Sequence, residues 1–245
     1  SCINNHLAIA QWLEKRFNIR IPDYDYIFQE ACGRGHLEVA KWLTSRFIVM
    51  AHNVRQALHN SCANGHLIVA QWLTYQFGSV MVDMRKYAKT AFLCSGKHLA
   101  VVQWLAKHFS FKKEDVQEKG NLALSTFCGN GYLEAAQWLA DHFKLTKSNV
   151  RSRNYKAFRE SCMQGHLDVA RWLVDRFNLK YADVTIKNNE ALRICCARGH
   201  LELAKWLVDK FSLTAKDVRS FDNEALRMWR MAVGVDNLTA ETVRI

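Results

Sequence analysis

One register governs this chain. Trp12, Trp42, Trp72, Trp104, Trp138, Trp172 and Trp206 are separated by 30, 30, 32, 34, 34 and 34 residues. Cys2, Cys32, Cys62, Cys94, Cys128, Cys162 and Cys196 keep the same spacings, as do Phe17, Phe47, Phe77, Phe109, Phe143, Phe177 and Phe211. Three residue types held in step through seven units point to an array of near-identical supersecondary units rather than an ordinary globule.

The clearest unit runs from Asn189 to Phe211: N-E-A-L-R-I-C-C-A-R-G-H-L-E-L-A-K-W-L-V-D-K-F. In its second half Leu201, Ala204, Leu207, Val208 and Phe211 recur at intervals of three and four, which predicts a helix buried on that side. Glu202 and Lys205 form an i,i+3 pair on the outer face, an arrangement repeated by Glu38 with Lys41 and Asp168 with Arg171. Gly199 suits a tight turn at positive φ. Glu190 to Ala197 predict a shorter helix, capped by Asn188 or Asn189. Each unit is therefore a short helix, a glycine turn, a longer helix and a loop. The longer helices fall near 6–17, 36–47, 66–77, 98–109, 132–143, 166–177 and 200–211. A lone hairpin cannot cover its apolar face, and stacking makes the core continuous. The tryptophans and phenylalanines are expected to form that seam, each burying on the order of 150–250 Å². The cysteine is expected to be a small buried residue. A single proline, Pro22, agrees with a helical chain.

The stretch G-H-L-E-V-A-K-W-L, Gly35 to Leu43, resembles the ankyrin repeat, whose second helix opens G-H-L, followed by an apolar pair and leucines. The opening recurs at Gly65, Gly165 and Gly199, with variants at Asn5, Lys97 and Gly131. The paired small residues that end the family's first helix match Cys195-Cys196. The resemblance implies an all-α, helix–turn–helix repeat solenoid over residues 1–245, with about six complete repeats, partial terminal units and a C-terminal cap at 222–245. The family's T-P-L-H opening is absent; N-E-A-L-R at Asn189 and Asn223 and Y-K-A-F-R at Tyr155 replace it. Tryptophan stands where the family usually has leucine, a trait similar to divergent arrays of large DNA viruses and protists. A tetratricopeptide array shares the 34-residue period but not this glycine and proline placement. At the C-terminal end Arg230 replaces the buried cysteine, and no G-H-L follows Met231, as an end repeat requires. The chain opens Ser1-Cys2 in mid-pattern, which reads as a fragment or processed form.

All length variation is expected between each Phe and the next Cys, where 15, 15, 17, 19, 19 and 19 residues separate them. The resemblance places this segment as a finger along one edge, longer from Ser110 onward. Arg159 and Arg193, with Arg227, recur once per repeat on the first helix. The family's residue there faces the concave side and bonds to neighbouring loops, so an internal ladder is expected, with Gln29 and His59 earlier in the series.

The Cys-x-x-x-His pairs invite zinc, which takes four ligands at about 2 Å in structural sites. Repeats stacked at ~10 Å cannot bring two pairs onto one ion, so the expected roles are a buried thiol and a histidine bonded to backbone. Disulfides need Cα atoms within ~7 Å, which one cysteine per repeat does not supply. Eight unpaired cysteines fit a reducing compartment, cytoplasm or nucleus. No cofactor, phosphate-binding glycine loop, lone catalytic pair or small-molecule substrate is expected, and no run of roughly 18 apolar residues would cross a membrane.

The net charge is +11. From Lys144 to Glu160 six bases (Lys144, Lys147, Arg151, Arg153, Lys156, Arg159) stand against one acid. An interaction scaffold is expected, binding another protein with an acidic surface through the concave face and the fingers. The candidate contacts are Lys112, Lys113, Lys147, Arg151, Arg153, Tyr155, Arg159, Tyr181, Arg193 and Phe221. Nucleic acid bound along the basic stripe is the alternative, and a structural spacer the third.

Overall fold

The computed structural model describes residues 2–17, 23–78 and 84–214. The expected cap at 222–245, with Phe221, Arg227 and Arg230, lies outside them. Among the described residues every regular element is a helix. The chain divides into two compact units, Ser1–Phe111 and Lys112–Ile245. The first holds a 3₁₀ turn at Cys2–Asn4 and helices α1 (Leu7–Phe17), α2 (Tyr24–Gly33), α3 (Leu37–Arg46), α4 (Ala51–Ala63), α5 (Leu67–Phe77), α6 (Met84–Cys94) and α7 (Leu99–His108). The second holds α8 (Lys113–Gly129), α9 (Leu133–His142), α10 (Lys147–Val150), α11 (Ser152–Gln164), α12 (Leu167–Phe177), α13 (Tyr181–Val184), α14 (Ile186–Ala197) and α15 (Leu201–Phe211). The second helices start within a residue of the predicted positions. First helices α2, α4 and α6 pack side by side in the first unit, and α8, α11 and α14 in the second.

The core is built from smaller side chains than the sequence predicts. Each second helix buries two small or branched residues and a leucine, such as Val39, Ala40 and Leu43, or Ala135, Ala136 and Leu139. In the last described repeat these are Leu203, Ala204 and Leu207, while Leu201, Val208 and Phe211 are only half-buried. The first helices add Phe28, Leu58, Phe92, Phe127 and Phe158. The expected seam of tryptophans is corrected. Trp42 is buried, but Trp12 is 59% exposed and the other five are half-buried. A helix flanked by two neighbours approaches them closely only through small residues, so the indole is displaced to the margin. There it meets the phenylalanine five residues on, edge to face, with centroids 5.9 Å apart for Trp138–Phe143 and 5.8 Å for Trp172–Phe177. These are clasps within a repeat; Trp72 also meets Phe28 of the preceding one.

The turn joins neighbours by polar contact. Gly35, Gly65, Gly131, Gly165 and Gly199 all have φ between 74° and 82°, the left-handed region that favours glycine. A Cβ on Gly165 would stand 2.5 Å from the His200 ring, and one on Gly35 2.6 Å from that of His66. The bare glycine thus seats the next repeat's histidine. From that seat His200 Nε2–H donates to Met163 O at 3.1 Å, and His36 Nε2–H to Ile3 O at 3.1 Å. His66 bonds the Gly33 backbone in the same way. Each acceptor is the residue after the repeat's cysteine, so the Cys-x-x-x-His spacing records a bridge between repeats.

The fourth repeat departs from the predicted register. Ser95 is fully buried and its hydroxyl donates to Phe92 O at 3.1 Å, as Ser61 does to Leu58 O at 3.0 Å and Ser161 to Phe158 O at 2.7 Å. Ser95 therefore occupies the Ser61 place, yet His98 follows it by three positions where His66 follows Ser61 by five. The turn has lost two residues, and the connection after Phe77 already has the full length of the later ones. Cys94 is half-buried on the preceding turn, its thiol 3.5 Å from His59 Nδ1. Length variation is not confined to the loops.

Leu139→Ala is expected to cost about 2–5 kcal/mol in denaturant unfolding, more than Trp138→Ala, because the leucine is enclosed and the indole is not. Burial, then the neighbouring His36 and His98, hold the His66 pKa below its usual 6.5. The unfolded chain then binds that proton more readily, so this part of the stability is present above pH 6.5 and lost as pH falls below it. Unfolding between about pH 7.5 and pH 5.5 should show falling stability, with a shallower fall in His66→Gln; a pH-independent wild type would contradict the assignment.

Candidate functional site

The inter-repeat segments of the second unit were expected as projecting fingers. They are folded down instead. A left-handed residue ends each second helix: Ser110, Lys144, Asn178 and Ser212, with φ of 49–51°. An apolar residue then enters the core, as Phe111, Leu145 and Leu179 do. A helical turn follows, closed by a capping carboxylate or amide. Lys112 N–H donates to Asp115 Oδ2 at 2.7 Å, Thr146 N–H to Asn149 Oδ1 at 2.8 Å, and Lys180 N–H to Asp183 Oδ2 at 2.8 Å. A buried valine ends each turn: Val116, Val150 and Val184. The signal lay in the sequence as [FL]-x-x-x-[DN]-V, repeated at Phe111, Leu145 and Leu179.

Left-handed residues separate each such turn from its first helix: Asn121, then Arg153, Asn154 and Tyr155, then Lys187 and Asn189. Asn189, expected as an N-cap, is thus a buried bend residue, and α14 begins at Ile186 with no side-chain cap bond. Asn121 donates through Nδ2 to Asn149 O at 2.9 Å, and the Tyr155 hydroxyl donates to Asp183 Oδ1. Lys113 Nζ donates to Lys144 O at 3.0 Å. Lys147 Nζ reaches Asn178 O at 3.3 Å and Asp183 Oδ2 at 2.5 Å. The connections are welded to one another, each lysine closing the end of the next repeat's second helix, where cations are favoured. Asp183 is the hub. Burial raises its pKa, but hydrogen bonds from Lys147, Tyr155 and the Lys180 backbone outweigh that and hold the carboxyl below its ordinary range. Burial and then the bond to Asp183 push Tyr155 up to about 12.

This network sorts the candidate contacts. Tyr155 is buried at 3% exposure, so its ring faces the core and not a partner. Lys113 and Lys147 close helix ends. Arg159 sits between repeats: its guanidinium meets Glu190 Oε2 at 2.6 Å and donates to Asn154 O at 2.9 Å and Arg153 O at 3.2 Å. Gln29 likewise reaches Asn53 of the next repeat at 2.7 Å. Lys112, Arg151, Arg153, Tyr181 and Arg193 are exposed. Arg151 and Arg153 have no carboxylate within ion-pair distance among the described residues. A polar groove of about 210 Å³ lies between α8 and α11, floored by Ser125, Thr126 and Gly129 and walled by Asn130, Lys156 and Glu160.

Burial raises the thiol pKa of Cys32, Cys62, Cys94 and Cys128, to about 12 for Cys62 and about 11 for Cys94. These thiols stay protonated at neutral pH and are poor nucleophiles. Among the described residues no group of three or more His, Cys, Asp or Glu side chains could hold a metal ion, and no helix is long and apolar enough to cross a membrane.

No curated protein matches the chain. Residues 90–188 match the family described as ankyrin repeats, in three copies. The matched span includes the complete hairpins α8–α9 and α11–α12 with their glycine turns. Over residues 90–188 the chain is thus similar to the ankyrin-repeat family, and the hairpins there have the helix–turn–helix form that the match implies.

Proposed function

We propose that the chain is an interaction module that binds an acidic segment of a partner protein along the second unit. Ankyrin repeats are generally protein–protein interaction modules, typically without catalytic activity. The finer reading rests on one observation. In the window 144–160 six bases oppose one acid, and after internal bonds engage Lys147 and Arg159, Arg151 and Arg153 stand exposed without a carboxylate. Arg151 precedes the left-handed bend and Arg153 opens it, and the buried Tyr155 anchors that bend, so their backbone is held in place before binding. Less entropy is then lost on association. Lys112 and Tyr181 on the neighbouring connections and Arg193 on α14 extend the surface, and the groove beside Lys156 can take a partner side chain. Unpaired cations speed encounter with acidic surfaces. Eight free cysteines favour a reducing compartment, cytoplasm or nucleus.

The test is a titration of the chain with a fluorescent glutamate-rich peptide and with duplex DNA, each across a salt series. Arg151→Glu/Arg153→Glu/Arg193→Glu should weaken peptide binding at least about tenfold, a change of roughly 1.4 kcal/mol, with unfolding unchanged. Peptide binding untouched by the triple change would sink the proposal. DNA binding with a steep salt slope and no peptide binding would replace it with the nucleic-acid reading.

A further inference from the structure

The outer face of the second helices carries ions in nearly every repeat. Glu38–Lys41 and Glu202–Lys205 pair along α3 and α15 at 2.8 and 3.1 Å. Between neighbouring repeats Arg46 meets Glu14 at 3.7 Å, Arg176 meets Asp141 at 3.0 Å and Lys210 meets Asp175 at 3.3 Å. Helix α5 breaks the series. Its sequence, L-I-V-A-Q-W-L-T-Y-Q-F, has no charged residue, unlike every other described second helix. Ile68 stands where α3, α9, α12 and α15 place Glu38, Glu134, Asp168 and Glu202, and Tyr75 where α9, α12 and α15 place Asp141, Asp175 and Asp209. The two side chains are 68% and 87% exposed. Seven residues apart, they lie on one side of the helix about 10.5 Å from each other. The flanking repeat adds positive charge: Lys97 at the entrance of α7 and Lys107 near its end are exposed, α7 contains no acid, and neither lysine has an ion pair among the described residues.

We propose that the α5 face is a second interaction surface, independent of the basic surface on the other unit, for an amphipathic helix of a partner. Its apolar stripe would cover Ile68 and Tyr75, and carboxylates flanking the stripe would meet Lys97 and Lys107. Two large apolar side chains left in water, at places where other second helices carry the ion-paired Glu38, Asp141, Asp175 and Glu202, are stabilised by a cover. A helix supplies apolar residues at the matching two-turn spacing. The charge on the α7 flank selects an acidic helix. A second copy of this chain offers cations along that flank, not acids, and so fits it poorly.

The probe is a fluorescein-labelled designed helix with leucines at i, i+3, i+4 and i+7 and glutamates beside them, titrated into the full chain. A companion peptide carries lysine for each glutamate. Ile68→Glu/Tyr75→Asp gives α5 the residues that α15 already carries at those places, and Lys97→Glu/Lys107→Glu reverses the flank. Unfolding curves confirm that each variant is folded. The glutamate helix should bind saturably, lose at least about tenfold affinity with Ile68→Glu/Tyr75→Asp, and lose several-fold with the lysine reversal, which should admit the lysine helix. The Arg151/Arg153/Arg193 variant should bind it as wild type does. Absence of saturation, equal binding of both peptides, or indifference to the Ile68 and Tyr75 changes would overturn the proposal. So would a wild-type dimer in sedimentation that Ile68→Glu/Tyr75→Asp dissolves, because the occupant would then be a second copy.

Discussion

The seat that a bare glycine makes for the next repeat's histidine is the contact on which the stacking depends. At Gly35, Gly65, Gly131 and Gly165 the backbone takes a conformation costly for other residues, and a methyl group there would strike an imidazole. His66 and His200 in turn each satisfy a carbonyl near the end of the preceding first helix. Helix ends leave such acceptors without partners, and in a stacked array water reaches them poorly. One residue type without a side chain and one with a reaching donor thus fix the separation and register of neighbours together.

The chemistry of the remaining surface follows from that separation. Each second helix packs against its own first helix through valine, alanine and leucine, and all the repeat tryptophans but Trp42 lie at the margin, where Trp138 and Trp172 clasp their own phenylalanines. The connections of the second unit cannot project freely, since Lys113, Lys147, Asn121 and Tyr155 tie each to the next. Much of the positive charge that looks available in the sequence is therefore structural. What is left over, Arg151 and Arg153 at the bend and the uncharged face of α5, stands out because the neighbouring positions are engaged.

The period, the glycine turns, the backbone-bonded histidines and the second helices were all legible, because each depends on residue type at fixed spacing. The fate of the tryptophans was not. Periodicity says that a residue recurs, but not whether a large ring fits between backbones that close. The shift in the fourth repeat was hidden because Cys94 precedes Ser95 where Cys62 follows Ser61, and this two-residue displacement cancels the two-residue loss in the turn, leaving Cys94 looking equivalent to Cys62. Tyr155 looked like a surface anchor among arginines; its ring is buried and its hydroxyl donates to Asp183, 28 residues away. The capped turns had a visible motif, but read as loops they gave no reason to look for one.

Amide hydrogen exchange on the second unit, comparing wild type with Gly165→Ala, tests the account most directly. An added methyl at Gly165 should unseat His200 and lower protection in both hairpins that meet there, α11–α12 and α14–α15, by about 1–3 kcal/mol, with α9 less affected. Protection that is unchanged, or lost only at the 165 turn itself, would mean that the glycine–histidine contact does not hold the repeats together.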